Sequence, residues 1–192
     1  MNHNPDDLIM LFNDLFRENA RTVLVKGGDE PEYLPGSDAG GVAQIIFAHD
    51  YYASALHEIS HWCIAGKRRR TLRDYGYWYC PDGRSVSQQQ AFEQVEVKPQ
   101  ALEWLFAVAA GSRFHISVDN LSGEGAVDET GFCRKVWAQA GSYLERDMPA
   151  RARAFVDTLR SFYGTGGTFE NAWHEETRRM FPFNSAPDIK ED

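Results

Sequence analysis

The sequence predicts a mixed α/β fold of the α+β kind, with a small sheet near the N-terminus, flanking helices and a helical C-terminal half. Three observations predict it. RTVLVKGG (21–28) and QIIFAHD (44–50) are short runs rich in β-branched and aromatic residues, bounded by glycine and acid as strands are. Apolar residues recur at helical spacing on either side of those runs. Pro149 and the run Gly164-Thr165-Gly166-Gly167 divide the last third into three helical stretches, 131–147, 149–163 and 168–180. The 192 residues suit one domain, 1–192, whose last residues, 185–192, read as a frayed tail.

The elements follow in order. Asn4-Pro5-Asp6-Asp7 supplies a capping side chain, a proline at the first helical position and acids in the first turn, and Leu8, Leu11, Phe12, Leu15 and Phe16 then share one helix face. DEPEYLPGSDAGG (29–41) separates the two strands as a loop, by its proline and glycine content. After His49-Asp50 a helix runs to about Ala65. YGYWYC (75–80) reads as a strand with Tyr75, Tyr77 and Tyr79 on one face, packed in the core or walling a cleft. A polar stretch, SVSQQQ, leads into a helix over 91–111 that closes at Gly111, with Pro99 marking a first turn or a break. RFHIS (113–117) is a further short strand.

Composition narrows the function. The formal charge of -8 argues against general binding to nucleic-acid phosphate and favours a basic substrate. The exception is Lys67-Arg68-Arg69-Arg70, either a solvated helix end that complements the dipole or a docking patch. No apolar run is long enough to cross a bilayer and the first residues are acidic, so no membrane role is expected and the cytoplasm is the expected address. Cys63, Cys80 and Cys133 form no CxxC pair and are odd in number, which fits a reducing compartment and buried thiols.

The chemistry centres on HEISH, residues 57–61. Four helical residues bring His57 and His61 to within about 40° of each other on one face, so two imidazoles can hold one ion. Ala53, Leu56, Ser60 and Ile64 share that face, which is therefore expected to be buried, while Cys63 points away. Glu58 stands at its edge, where metallopeptidases place the base that takes a proton from metal-bound water. A third ligand must come from elsewhere. Glu93 and Glu96 share a helical face downstream; Glu96 is the expected ligand, because EVKPQALEWL is similar to the glutamate-bearing helix of glutamate-type zincins. Glu93 is its partner or its replacement. His49 and His115 read as core strand residues, Asp74 as a loop residue and His174 as a surface residue. Two histidines and a carboxylate suit a zinc hydrolase, peptidase or ribonuclease, with Glu58 as general base, and equally a non-haem iron(II) oxygenase.

The runs EPEYLPG, IIFAHDYYASALHEISHWCIAGKRRR, DYGYWYCPDGR, FEQVEVKPQALEWLFAVAAG and DNLSGEG go further. They resemble the elongation factor P hydroxylase family, known as EpmC or YfcM, closely over 22–125 and loosely beyond. That resemblance implies an Fe(II)-dependent monooxygenase that uses dioxygen to hydroxylate the β-lysyl-lysine residue of elongation factor P. It implies metal ligation by His57, His61 and Glu96 or Glu93, and a fold similar to the YbeY-type metal ribonucleases, a small sheet with helices around a metal cleft. On this reading Glu58 loses the role of hydrolytic base, and Glu58 and Glu93 become the catalytic-site acids that hold the ammonium groups of the substrate.

Overall fold

The computed structural model describes residues 3–37, 40–76, 83–118, 128–165, 167 and 169–181. Helix α1 (Pro5–Ala20) starts where its signals are: the Asn4 side chain accepts a hydrogen bond from the Asp6 N–H, and Pro5 fills the first helical position. Its face of Leu8, Leu11, Phe12 and Phe16 is buried. Strands β1 (Thr22–Lys26) and β3 (Ala43–Phe47) are the two runs read as strands, and they pair in parallel from Thr22 opposite Ala43 to Lys26 opposite Phe47.

Between them the expected loop contains a third strand, β2 (Glu32–Leu34), antiparallel to β3, so that the sheet order is β1-β3-β2. Pro31 and Pro35 hid it. Tertiary contacts create it: the Tyr33 ring is buried, its N–H donates to Asp74 Oδ1 at 2.8 Å and its hydroxyl donates to the Arg70 carbonyl at 2.9 Å. His49 and Asp50, both at positive φ, turn β3 into α2 (Tyr52–Ile64).

Two short 3₁₀ turns follow, Arg69–Thr71 and Arg73–Gly76. The strand expected over 75–80 is therefore absent at Tyr75 and Gly76, and its remainder lies outside the described residues. Tyr75 sits in the left-handed region at φ 57° and stacks on Tyr33 with centroids 4.3 Å apart.

Helix α3 (Val86–Ala110) starts earlier than its apolar pattern indicated, because Ser85 and Gln88 form a capping box. From Ala101 to Ala110 it is buried on all sides, packed by α2, α4, α5 and α6, so it is the central rod of the helical part. Pro99 lies inside this helix, neither at its first turn nor at a break. The chain after Gly111 returns along α3 without forming the strand expected at 113–117. Gln100 takes the place of a strand partner: its Nε2 donates to the Ser117 carbonyl at 2.7 Å and its Oε1 accepts the Ser117 N–H at 3.1 Å.

Helix α4 (Glu129–Ser142) ends in a π turn (Tyr143–Asp147), and α5 (Ala150–Tyr163) and α6 (Phe169–Met180) complete the helical half near their expected bounds. The tail expected over 185–192 lies outside the described residues. No helix among the described residues is long and apolar enough to cross a membrane.

Candidate metal centre

Two helices build the site. α2 carries His57 and His61, and its Ile59, Trp62 and Cys63 are buried in the core, which fixes the rotation of the opposite face. That opposite face is less buried than its sequence suggested: Leu56 and Ser60 are buried, but Ala53 is exposed and the histidine side chains keep 24% and 11% of their surface. The histidines therefore line clefts that solvent reaches. The last turn of α2 is held by two arginines, since Arg70 Nη1 and Arg151 Nη2 both donate to the Ala65 carbonyl at 2.7 Å, and Arg151 also reaches the Cys63 carbonyl at 3.0 Å.

From α3 comes Glu96, 2% exposed. Its Oε1 lies 3.3 Å from His61 Nε2 and its Oε2 lies 3.4 Å from His57 Nε2, while the two Nε2 atoms are 3.1 Å apart. Both carboxylate oxygens are buried, and neither has a hydrogen bond among the described residues. A buried carboxylate without hydrogen bonds is costly, and the two imidazoles beside this one offset its charge only when protonated. A cation would satisfy this one. Ligand atoms bonded at about 2.1 Å stand roughly 3.0 Å apart at right angles and roughly 3.4 Å apart in a tetrahedron, so the observed triangle has the size of one face of a coordination shell. His57, His61 and Glu96 are also the group of metal-ligating side chains that stands together among the described residues.

A residue that sequence reasoning missed completes the arrangement. Glu103, two turns beyond Glu96 on the same helix, accepts a 2.8 Å hydrogen bond from His57 Nδ1, which leaves Nε2 facing Glu96 and His61. The signal was there to read: a lone glutamate seven residues after Glu96, inside the apolar run ALEWLFAVAA. Burial disfavours a charged His57, but the hydrogen bond to Glu103 and the charges of Glu96, Glu103 and Glu58 outweigh it and push the imidazole up to about 10. Burial likewise works against an ionised Glu96, yet His61 and His57 pull its carboxyl down to about 2. The site is thus an acidic nest that holds positive charge.

Glu58 lines a pocket of about 360 Å³ together with His57, Glu96 and Glu103, and burial raises its carboxyl against the pull of the two histidines. Glu93 is elsewhere. One turn before Glu96, it accepts from Lys135 Nζ at 3.2 Å and does not line that pocket. His49 and His115 are exposed, not core strand residues, because the chain turns at positive φ at His49 and the segment 113–117 forms no strand; His115 borders the acidic pocket. Asp74 is occupied by the Tyr33 N–H, and His174 is exposed on α6.

On the other side of the histidine pair lies a second cleft of about 620 Å³, bordered by His61, Tyr75, Pro99 and the basic residues Lys67, Arg68 and Lys98. Tyr75 forms part of its wall, its ring nearly parallel to that of His61 at a centroid distance of 6.4 Å. Of the basic run, Arg70 is spent on the helix end, whereas Lys67 and Arg68 are exposed.

Comparison with known proteins identifies the family. A relative from Haemophilus influenzae, named elongation factor P lysine hydroxylase, is 52% identical over 165 residues, which is 86% of this chain and 92% of its own length. The profile of the family described as elongation factor P hydroxylase (EpmC) matches residues 11–173, a span that includes both histidines, Glu96 and Glu103. The chain belongs to the elongation factor P hydroxylase family.

Proposed function

We propose that this protein is an Fe(II)-dependent monooxygenase that hydroxylates the β-lysyl-lysine side chain of elongation factor P, with His57, His61 and Glu96 as the metal ligands. The observation that carries the metal reading is the buried carboxylate of Glu96, its oxygens without a hydrogen bond among the described residues, opposite two Nε2 atoms. Membership of the family carries the reaction and the substrate. Zinc and iron(II) both suit the donor set, and hydroxylation selects iron. Iron(II) bound there would supply open positions and the redox capacity that dioxygen activation needs. Hydroxylation puts one oxygen atom of dioxygen into a C–H bond and releases the other as water, which takes two protons and two electrons from a reductant.

The chain's own residues prepare that chemistry. Glu103 fixes the His57 ring and tautomer through Nδ1. Glu58, with Glu103, gives the pocket beside His57 the negative character that receives an ammonium-tipped side chain, and holds its terminus away from the carbon to be hydroxylated. Glu93, engaged by Lys135, contributes to the negative field from outside the pocket. The fold belongs to this reading as a YbeY-like arrangement of small sheet, helices and metal cleft, in a cytoplasmic enzyme that meets its substrate among translation factors.

The test is a mass measurement. Elongation factor P carrying β-lysyl-lysine should gain the mass of one oxygen atom when iron-loaded protein, dioxygen and a reductant are present, and His57→Ala or Glu96→Ala should abolish the gain. An unchanged mass with fully iron-loaded protein refutes the reaction. Zinc-dependent cleavage of peptide or RNA that Glu58→Gln abolishes would put the protein among the hydrolases instead.

A further inference from the structure

The two clefts that meet at the histidine pair differ in their charged side chains, carboxylates predominating in one and cations in the other. The pocket on the His57 side is lined by three carboxylates, Glu58, Glu96 and Glu103, against one guanidinium, Arg84. The larger cleft on the His61 side is rimmed by Lys67, Arg68 and Lys98. These cations come from two elements distant in sequence, the segment after α2 and the middle of α3, yet they border one opening. All three are exposed, and among the described residues none of them is in an ion pair. In a chain of formal charge -8 a concentrated positive rim is a local exception, in the same cleft as His61. Hydrogen bonds tie its scaffold together: Arg70 donates to the Ala65 carbonyl, and Tyr33 bonds both the Arg70 carbonyl and Asp74.

An acidic pocket alone would suit any free cation, including a small polyamine. The positive rim around the second cleft works against that, because it repels small cations while attracting a surface of carboxylates. We infer that Lys67, Arg68 and Lys98 form the docking surface for an acidic patch of the substrate protein beside the modified lysine, so that the enzyme recognises a cationic side chain presented by an anionic surface. The inference rests on the proposed function and names the part of the substrate that the rim meets. The rim acts in encounter and alignment, and the acidic pocket acts on the side chain once it has entered.

Kinetics of the iron-loaded full chain on β-lysyl-lysine elongation factor P separate the outcomes. Lys67→Glu/Arg68→Glu/Lys98→Glu should raise KM about tenfold at low salt with kcat changed less than about twofold, and the gap should narrow as ionic strength rises. A short peptide bearing the same modified lysine should lose this sensitivity. Arg153→Glu, a single charge reversal of the same sign on the exposed face of α5, should leave KM as it is. If the wild-type protein hydroxylates the factor and the triple variant has the same KM and salt dependence, the docking inference is overturned while the proposed function stands. If the wild type neither binds nor hydroxylates the factor, both fall. A triple variant that loses affinity for an RNA oligonucleotide with KM unchanged makes the rim a nucleic-acid surface and also overturns the inference.

Discussion

Replacing Glu103 tests the architecture of the centre most directly. In Glu103→Ala the 2.8 Å bond to His57 Nδ1 is lost, and the ring is freed to rotate about its side-chain bonds. Two effects oppose each other. The carboxylate stabilises a proton on His57, which competes with a metal ion, so its removal relieves that competition. It also stabilises the ion, and a divalent cation gains more from the same negative charge than a proton does, while the loss of orientation falls on the metal alone. The second effect wins. Loss of such a partner costs about 10- to 100-fold in metal affinity, or about 1.4 to 2.7 kcal/mol. Glu103→Gln keeps an oxygen that can accept from Nδ1 and loses the charge, so it should fall between wild type and alanine. Anaerobic titration with Co(II) against a chromophoric chelator reads the affinity, and the visible bands of bound Co(II) read the ligand geometry. Both variants binding within about twofold of wild type, with unchanged bands, would refute the role given to Glu103.

Four further outcomes are expected. Glu96→Ala should lose metal retention in that Co(II) titration, whereas Glu93→Ala should change affinity less than about threefold, because it breaks only a half-exposed pair with Lys135. Trp104→Ala should cost about 3 to 5 kcal/mol by denaturant unfolding, since its fully buried ring stacks on Phe114 at 4.9 Å and packs against Trp173. Cys63 should resist thiol reagents until the protein unfolds, because burial both shields it and pushes its thiol up; rapid labelling of native Cys63, located by peptide mass, would contradict the packing of α2. Burial pushes the Tyr143 hydroxyl up to about 12. Its stabilising contribution is complete below the unfolded value of about 10 and is lost as pH rises through 12, at about 1.4 kcal/mol per pH unit, so Tyr143→Phe should flatten the alkaline fall in unfolding free energy.

Much of the site was legible because its determinants are local. The four-residue spacing of His57 and His61 fixes their relation on any helix, and Glu96 stands at the start of the apolar stretch of α3 where a ligand from a second helix would stand. What sequence could not supply was the relation between helices. Glu93 and Glu96 differ only in rotation about α3, and that rotation is set by the burial of Gln89, Phe92 and Glu96 and by the draw of Lys135 on Glu93. Glu103 became a partner of His57 only through the packing of α2 on α3.

The fold shows the same division. Asn4-Pro5 and the glycine after α3 acted as local stop and start signals, Gly111 closing its helix at φ 68°. Ser85-Val86-Ser87-Gln88 was an equally local signal, a capping box inside a stretch that otherwise looked like a polar connection. β2 and the 113–117 segment were decided by distant partners. Three residues between prolines became a strand because β3 and Tyr33's contacts held them, and RFHIS stayed irregular because Gln100 met its backbone where a strand would have.

The ligand triangle spans two helices, with two corners on α2 and the third on α3, and neither helix carries it alone. An ion held there binds only the docked pair, so its occupancy and the folding equilibrium are linked: at free metal 100-fold above the dissociation constant the native state gains about 2.7 kcal/mol. α3 also carries α4, α5 and α6 on its buried rod. An ion bound at this triangle would therefore stabilise the packing of the whole helical half as well as the site.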